Sequence, residues 1–166
     1  MTITLKKIGS FEEIEILEPL VKVIWEETFV PIIGQNQVDY MLEMYQSKEE
    51  INRQIQAAEA EYYLVFYQEE AVGYTTYRKE EQRLFISKIY LLSQYQGIGI
   101  ATELFNWLEE VAKESNLNSL YLHVNQQNKK AIAVYEHKGF VNFGEIVTDI
   151  EAGFLMEDFI FIKNLA

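Results

Sequence analysis

The sequence predicts a single domain of the α/β (α+β) class, a mixed sheet of about seven strands with helices on both faces. Three observations predict it. Short runs rich in aromatic and β-branched residues recur along the chain, bounded by acids or turn residues. Between them lie two Ser-x-x-Glu capping signatures and one long stretch with apolar residues at helical spacing. With 166 residues, 49% hydrophobic and 24% charged, the chain can bury a substantial core without cross-links.

Taken in order, Thr2 to Ile8 alternates and opens as a strand. Ser10-Phe11-Glu12-Glu13 caps a helix expected to reach about Glu27, where Pro19 predicts a kink or an early break. Thr28 to Asn36 contains Pro31 and Gly34 and is predicted as a loop, followed by a short helix from Val38 to Tyr45. Ser47-Lys48-Glu49-Glu50 starts a further helix ending near Glu59. Tyr62 to Tyr67 and Ala71 to Lys79 form a hairpin across Gln68-Glu69-Glu70, and Gln82 to Leu92 is its antiparallel neighbour. A glycine turn then opens a helix to about Ser115, with Ala101, Leu104, Phe105, Leu108, Val111 and Ala112 on one side. Asn118 to Val124 is a strand and Asn128 to Lys138 a helix; Phe140 to Thr148 and Gly153 to Ile162 close as strands. No repeat or linker interrupts the series, so residues 1–166 are expected to form one domain.

Composition excludes several classes. There is no cysteine, which removes disulfides, thiolate metal sites and a cysteine nucleophile, and no metal site is expected. The net charge of −12 argues against nucleic acid as a partner and would draw a cationic substrate. No apolar run is long enough to cross a bilayer and the N-terminus lacks a signal-peptide core. No membrane partner and a cytoplasmic location are expected.

The most informative segment is Gln94-Tyr95-Gln96-Gly97-Ile98-Gly99-Ile100-Ala101, between a strand and an amphipathic helix. Two glycines let the backbone turn tightly and approach a ligand, and the helix start aims free N–H groups and partial positive charge at an anion. A dinucleotide fingerprint fails, because three strands precede the turn and the next strand ends His123-Val124-Asn125 without an acid. A Walker loop fails for want of Lys-Ser/Thr after the glycines.

The segment Gln94-x-x-Gly97-x-Gly99 and the downstream pattern Asn128-x-x-Ala131-x-x-x-Tyr135-x-x-x-Gly139-Phe140 resemble the two signature motifs of the GNAT acyl-CoA N-acyltransferase superfamily. Within it the chain is most similar to the bacterial spermidine/spermine acetyltransferases, through Glu27-Thr28-Phe29, Gln35-Asn36, the helix from Ser47, Val72-Gly73-Tyr74 and Met156-Glu157-Asp158-Phe159-Ile160. That resemblance implies a GNAT-like, mostly antiparallel sheet and transfer of an acetyl group from acetyl-CoA to a primary amine such as spermidine. An aminoglycoside, an amino acid, a peptide N-terminus or a non-catalytic CoA-binding role are the alternatives. Relatives are often homodimers; no interface is legible here.

The resemblance also assigns residues. Backbone groups of Ile89, Tyr90 and Leu91 would pair with the pantetheine arm. The N–H groups of Gln96, Gly97, Ile98, Gly99, Ile100 and Ala101 would hold the pyrophosphate, and Asn128 would hydrogen-bond the pantetheine or else cap its helix. Gln94 replaces the commoner arginine. Tyr135 would protonate the departing CoA thiolate, since thiol and phenol reference pKa values are about 8.5 and 10. No acid stands on the fourth strand among Phe85, Ile86, Ser87 and Lys88, leaving Glu26, Glu27, His123 or a water relay as bases. Without cysteine, transfer should be direct, its oxyanion met by a backbone N–H near Leu91. Trp25, Phe29, Tyr40 and Tyr45 could offer cation–π contact to the acceptor or simply pack.

Overall fold

Ser10 caps the first helix as its sequence dictates. Its Oγ accepts from Glu13 N at 3.2 Å, and Ser10 N donates to the Glu13 carboxylate at 3.1 Å. In the computed structural model, which describes residues 2–165, this helix, α1 (Phe11–Ile33), runs on through Pro19 and Pro31. The segment expected as a loop is therefore mostly helix. A proline inside a helix costs about 3 kcal/mol. Against that, Ile14, Leu17, Leu20, Val21, Ile24, Trp25 and Phe29 are all buried along one side of α1, each contributing roughly 1.5–3 kcal/mol. Packing outweighs propensity.

The break comes at Gly34 alone. Its φ of 84° and ψ of 161° turn the chain straight into α2 (Gln35–Tyr45). Helix α3 (Lys48–Gln56) starts on Ser47, whose Oγ accepts from Glu50 N at 3.2 Å. Glu50 does not complete the box; it meets Arg53 at 2.7 Å instead, a charge-assisted bond that outcompetes the backbone amide.

The chain divides into two compact units, Met1–Arg78 with Lys88–Glu103 and Lys79–Ser87 with Leu104–Ala166. In the first, strand β1 (Ile3–Lys7) pairs antiparallel with β2 (Glu61–Tyr67), and β2 with β3 (Glu70–Lys79). Gln68 and Glu69 make the hairpin turn with φ of 51° and 67°, the left-handed pair that suits strand twist. A buried hydrogen-bonded chain ties these elements together. Trp25 Nε1 donates to the Tyr74 hydroxyl (3.0 Å), which donates to Gln46 Oε1 (2.8 Å). Gln46 Nε2 donates to the Tyr62 hydroxyl (3.0 Å), which donates to Gln54 Oε1 (2.7 Å).

Strand β4 (Arg83–Leu91) continues the meander from β3. Glu80 N donates to Arg83 O at one end, and Leu92 N donates to Val72 O at the other. The β4 side of that span is one residue longer, so it carries a bulge. Thr75 Oγ1 takes up the Lys88 carbonyl at 2.7 Å. Gly73 is what permits the distortion, since a Cβ there would lie 2.2 Å from Tyr90 O and 2.7 Å from the Leu91 side chain.

In the second unit, Arg83–Ile86 of β4 runs parallel to Ser119–Leu122 of β5 (Ser119–Asn125). β5 is antiparallel to β7 (Leu155–Asn164), and β7 to β6 (Val141–Asp149). The described residues thus form seven strands in the order β1-β2-β3-β4-β5-β7-β6, the mixed and mostly antiparallel sheet the sequence predicts. Two helices belong to this half of the chain, α4 (Ile100–Glu114), whose first turn lies in the first unit, and α5 (Lys129–His137). Leu120, Leu122, Val124 and Phe161 are buried on the face where Phe161 meets Tyr135 of α5, and Phe105 of α4 packs on Tyr135 in turn. On the opposite face Tyr121 is half-buried and His123 exposed.

Candidate functional site

In the first unit, the residues expected to hold an anion sit where β4 gives way to α4. A single 3₁₀ turn, Ser93–Tyr95, follows β4. Gly97 and Gly99 then adopt φ of 76° and 97°, a left-handed region costly for other residues. Nothing lies within 4 Å of a Cβ built on Gly97, so conformation alone demands glycine there. The first bond of α4 is Glu103 N to Gly99 O at 3.3 Å, which leaves the N–H groups of Ile100 and Ala101 ahead of the intrahelical ladder. The Gln96 N–H is already engaged by Ser93 O at 3.2 Å, and its side chain donates to Leu91 O at 3.2 Å.

Three carboxylates and carbonyls pin this loop. The Glu27 carboxylate accepts from Ser93 N at 3.1 Å and from Ser93 Oγ at 2.8 Å. Tyr95 OH donates to Glu70 at 2.7 Å, and Leu92 N to Val72 O at 2.9 Å. Glu27, one of the candidate bases, thus holds the loop. Glu26 is likewise engaged, accepting from Gln35 Nε2 at 3.0 Å.

Ile89 and Tyr90 are half-buried and Leu91 buried. The Tyr90 ring stands edge-on to Trp25, Phe29 and Tyr74 at 6.2, 5.6 and 5.6 Å. Trp25 and Phe29 are 4% and 8% exposed, so their role in this arrangement is to pack and shape β4. Tyr40 and Tyr45 are half-buried. β4 carries Lys88 and no acid among residues 85–88, and burial lowers the Lys88 ammonium to about 8.

In the second unit, Asn128 is the N-cap of α5, its Oδ1 accepting from Ala131 N at 3.3 Å. Just ahead of it, Asn125 closes a local turn by accepting from Gln127 N at 2.8 Å. The Asn128 side-chain nitrogen bonds to none of the described residues.

Helix α5 ends at a glycine for a definite reason. Gly139 takes φ of 93°, its N donating to Glu136 O at 3.1 Å, and Phe140 N returns to Tyr135 O at 3.0 Å. That wrap buries Phe140 against Tyr135, ring centroids 6.1 Å apart. Phe105 and Phe161 enclose Tyr135 further, at 5.8 and 6.3 Å.

Tyr135 is only 8% exposed, and burial pushes its phenol well above the usual range. Its hydroxyl bonds to no described residue. Thr76 Oγ1 is the only unpaired side-chain polar atom among the described residues that is fully sealed, so the Tyr135 oxygen still reaches solvent. A protonated, unpaired hydroxyl on a ring packed among Phe105, Phe140 and Phe161 is a donor in search of an acceptor. On the other face of this sheet, His123 lies 5.3 Å from Phe85 and 6.1 Å from Tyr121, ring to ring.

Residues 20–140 match the model of the acetyltransferase (GNAT) family, and the chain belongs to that family. It is 30% identical over 82 residues to N-alpha-acetyltransferase 50 of Danio rerio, covering 46% of this chain and 49% of that protein. It is 38% identical over 63 residues to spermidine N(1)-acetyltransferase of Vibrio cholerae, covering 37% and 36% respectively. The chain therefore spans less than half the length of these curated relatives. Its fold is like that of the PaiA N-acetyltransferase of Thermoplasma acidophilum, solved with coenzyme A. The TM-score is 0.79 and the identity 21%, with 99% of each chain covered. No helix among the described residues is long and apolar enough to cross a membrane.

Proposed function

We propose that residues 1–166 act as one N-acetyltransferase domain that moves an acetyl group from acetyl-CoA directly to a primary amine, a polyamine such as spermidine. The observation that carries this is the pair of left-handed glycines, Gly97 and Gly99, ahead of the Ile100 and Ala101 amides that precede the first intrahelical bond of α4. They suit a pyrophosphate held by backbone. With Gln94 in place of a cation, the amides of Gly97, Ile98, Gly99, Ile100 and Ala101 supply most of that hold. Coenzyme A bound to the Thermoplasma protein of the same fold supports the choice of cosubstrate.

In this mechanism Ile89, Tyr90 and Leu91 bind the pantetheine arm as an added strand, and the Asn128 side-chain nitrogen is the donor left over from capping. The thioester supplies the activated acetyl group. A backbone N–H near Leu91 receives the developing oxyanion, and the attacking amine gives up its proton through water. The Tyr135 hydroxyl donates to the sulfur as CoA leaves, its own proton restored from solvent. Burial keeps the Tyr135 phenol protonated at neutral pH, so the donor is in place when the thiolate leaves. Absence of cysteine supports direct transfer over an acetyl-thiol enzyme. The acidic chain, at −12, favours a cationic acceptor.

The decisive experiment follows CoA thiol release with acetyl-CoA and spermidine. Release that collapses in Tyr135→Phe supports both the reaction and the acid. Binding of acetyl-CoA without release across an amine panel would overturn the proposal. A peptide N-terminus is the second acceptor to test, favoured by the likeness to N-alpha-acetyltransferase 50.

A further inference from the structure

We propose that Asp158 is an acceptor-binding residue whose carboxylate takes a second, protonated nitrogen of the substrate, selecting di- and polyamines over monoamines. This rests on the acetyltransferase role proposed above and gives its acceptor site a chemical definition.

The position follows from strand register. Asp158 of β7 stands directly opposite Asn125 of β5 and Ile146 of β6. Cross-strand partners share a face, so Asp158 belongs to the side that carries Asn125, His123 and Tyr121, away from the Tyr135 and Phe161 cluster. Most of that side is half-open. Asp158 is the exception, at 4% exposure.

A carboxylate so deeply placed ordinarily has a cation or several donors, because an uncompensated buried charge is costly. The Asp158 carboxyl has neither among the described residues. It is not sealed, since Thr76 Oγ1 alone is both unpaired and out of solvent's reach. The two facts together describe a deeply placed carboxylate that has no partner among the described residues and keeps some access to solvent. Burial raises it to about 6, which leaves it charged at neutral pH. A group in that state is short of one cationic ligand.

The surroundings say which cation. Ile146 and Ile160 flank Asp158 on the same side, and Phe85 stacks on Tyr121 at 4.7 Å further along. Carboxylate, then hydrocarbon, then aromatic faces is the order that an ammonium on a methylene chain would match. At the far end Glu80 accepts from Tyr121 OH at 2.7 Å, and Arg83 lies 5.4 Å above the Tyr121 ring. Glu80 and Arg83 carry opposite charges at that end, so it offers a cation little net attraction, unlike Asp158.

The test compares wild type, Asp158→Asn and Asp158→Glu with spermidine and with a simple alkylamine. Thermal melts and CoA affinity verify that each variant is folded. Asp158→Asn should raise KM for spermidine by about tenfold to a hundredfold, the range for a lost bond to a charged group. KM for the alkylamine and affinity for CoA should hold, and Asp158→Glu should lose less. An unchanged spermidine KM, or an equal rise for both amines, overturns the proposal. If no amine is acetylated, the role proposed above fails by itself. Calorimetric titration of the CoA-loaded protein with spermidine then decides. Binding by wild type that Asp158→Asn abolishes upholds the site; equal binding, or none by wild type, refutes it.

Discussion

Glu27 and Ser93 are joined twice, the carboxylate accepting from the backbone N–H at 3.1 Å and from the hydroxyl at 2.8 Å. The contact fastens α1 to the turn directly ahead of the glycine loop, 66 residues away in sequence. Exposed bonds of this kind add little to global stability. Their effect should be on where the loop sits. We expect Glu27→Ala to weaken CoA affinity several-fold while lowering Tm by no more than about 3 °C, roughly 1 kcal/mol for a chain this size. Calorimetry and a thermal melt measure the two; unchanged affinity would show that the loop needs no anchor.

Gly97 permits a cleaner test of backbone conformation. Its φ is 76° and a Cβ would meet nothing within 4 Å, so Gly97→Ala adds strain without a clash. The expected stability cost is about 1–2 kcal/mol, with CoA affinity falling about tenfold as the loop relaxes. An alanine variant that binds CoA normally would mean the amides do not need this geometry.

Gly73 should behave differently. A methyl there would sit 2.2 Å from the Tyr90 carbonyl, backbone that cannot step aside. Gly73→Ala should cost about 3 kcal/mol or more, a fall in Tm on the order of 6–12 °C. Urea unfolding would reveal it, and a loss below about 1 kcal/mol would contradict the tight β3–β4 approach.

Tyr135→Phe separates chemistry from structure. The hydroxyl has no partner among the described residues, so its removal should leave stability within about 0.5 kcal/mol. Turnover should fall about a hundredfold or more, as for a lost general acid. A variant both destabilised and fully active would reverse the assignment.

Asp158 makes a prediction for stability against pH. Its carboxyl titrates at about 6 when folded, raised by burial from 3.8. Below both values it is neutral in either state and burial costs nothing extra. As pH rises from about 4 to 6 the unfolded chain releases its proton first, so this residue's contribution to stability declines and stays low above 6. His123 and Tyr121 are the other titratable groups on its side of β5. Asp158→Asn should therefore melt higher than wild type at pH 8 and lose that advantage near pH 4. Parallel Tm profiles would exclude a buried, unpaired carboxylate.

Much of this protein was determined locally. Gly97 and Gly99 announce a left-handed turn because side chains penalise that backbone, and the Tyr135 to Phe140 spacing announces a wrapped helix end because Gly139 must close it. Local conformational cost is written residue by residue, so the strands, the caps and the two motifs could be found in the sequence. Tertiary structure decided the rest. Pro19 and Pro31 stay helical because α1 buries a long apolar side, and Gly73 is needed because β4 bulges toward it. Glu27 becomes an anchor only when Ser93 is brought to it. Asp158 reads as an ordinary acid on a strand until pairing with Asn125 and Ile146 fixes its side of the sheet. Which face a strand residue occupies, and how dry that face is, depends on partners far along the chain, and no local pattern encodes them.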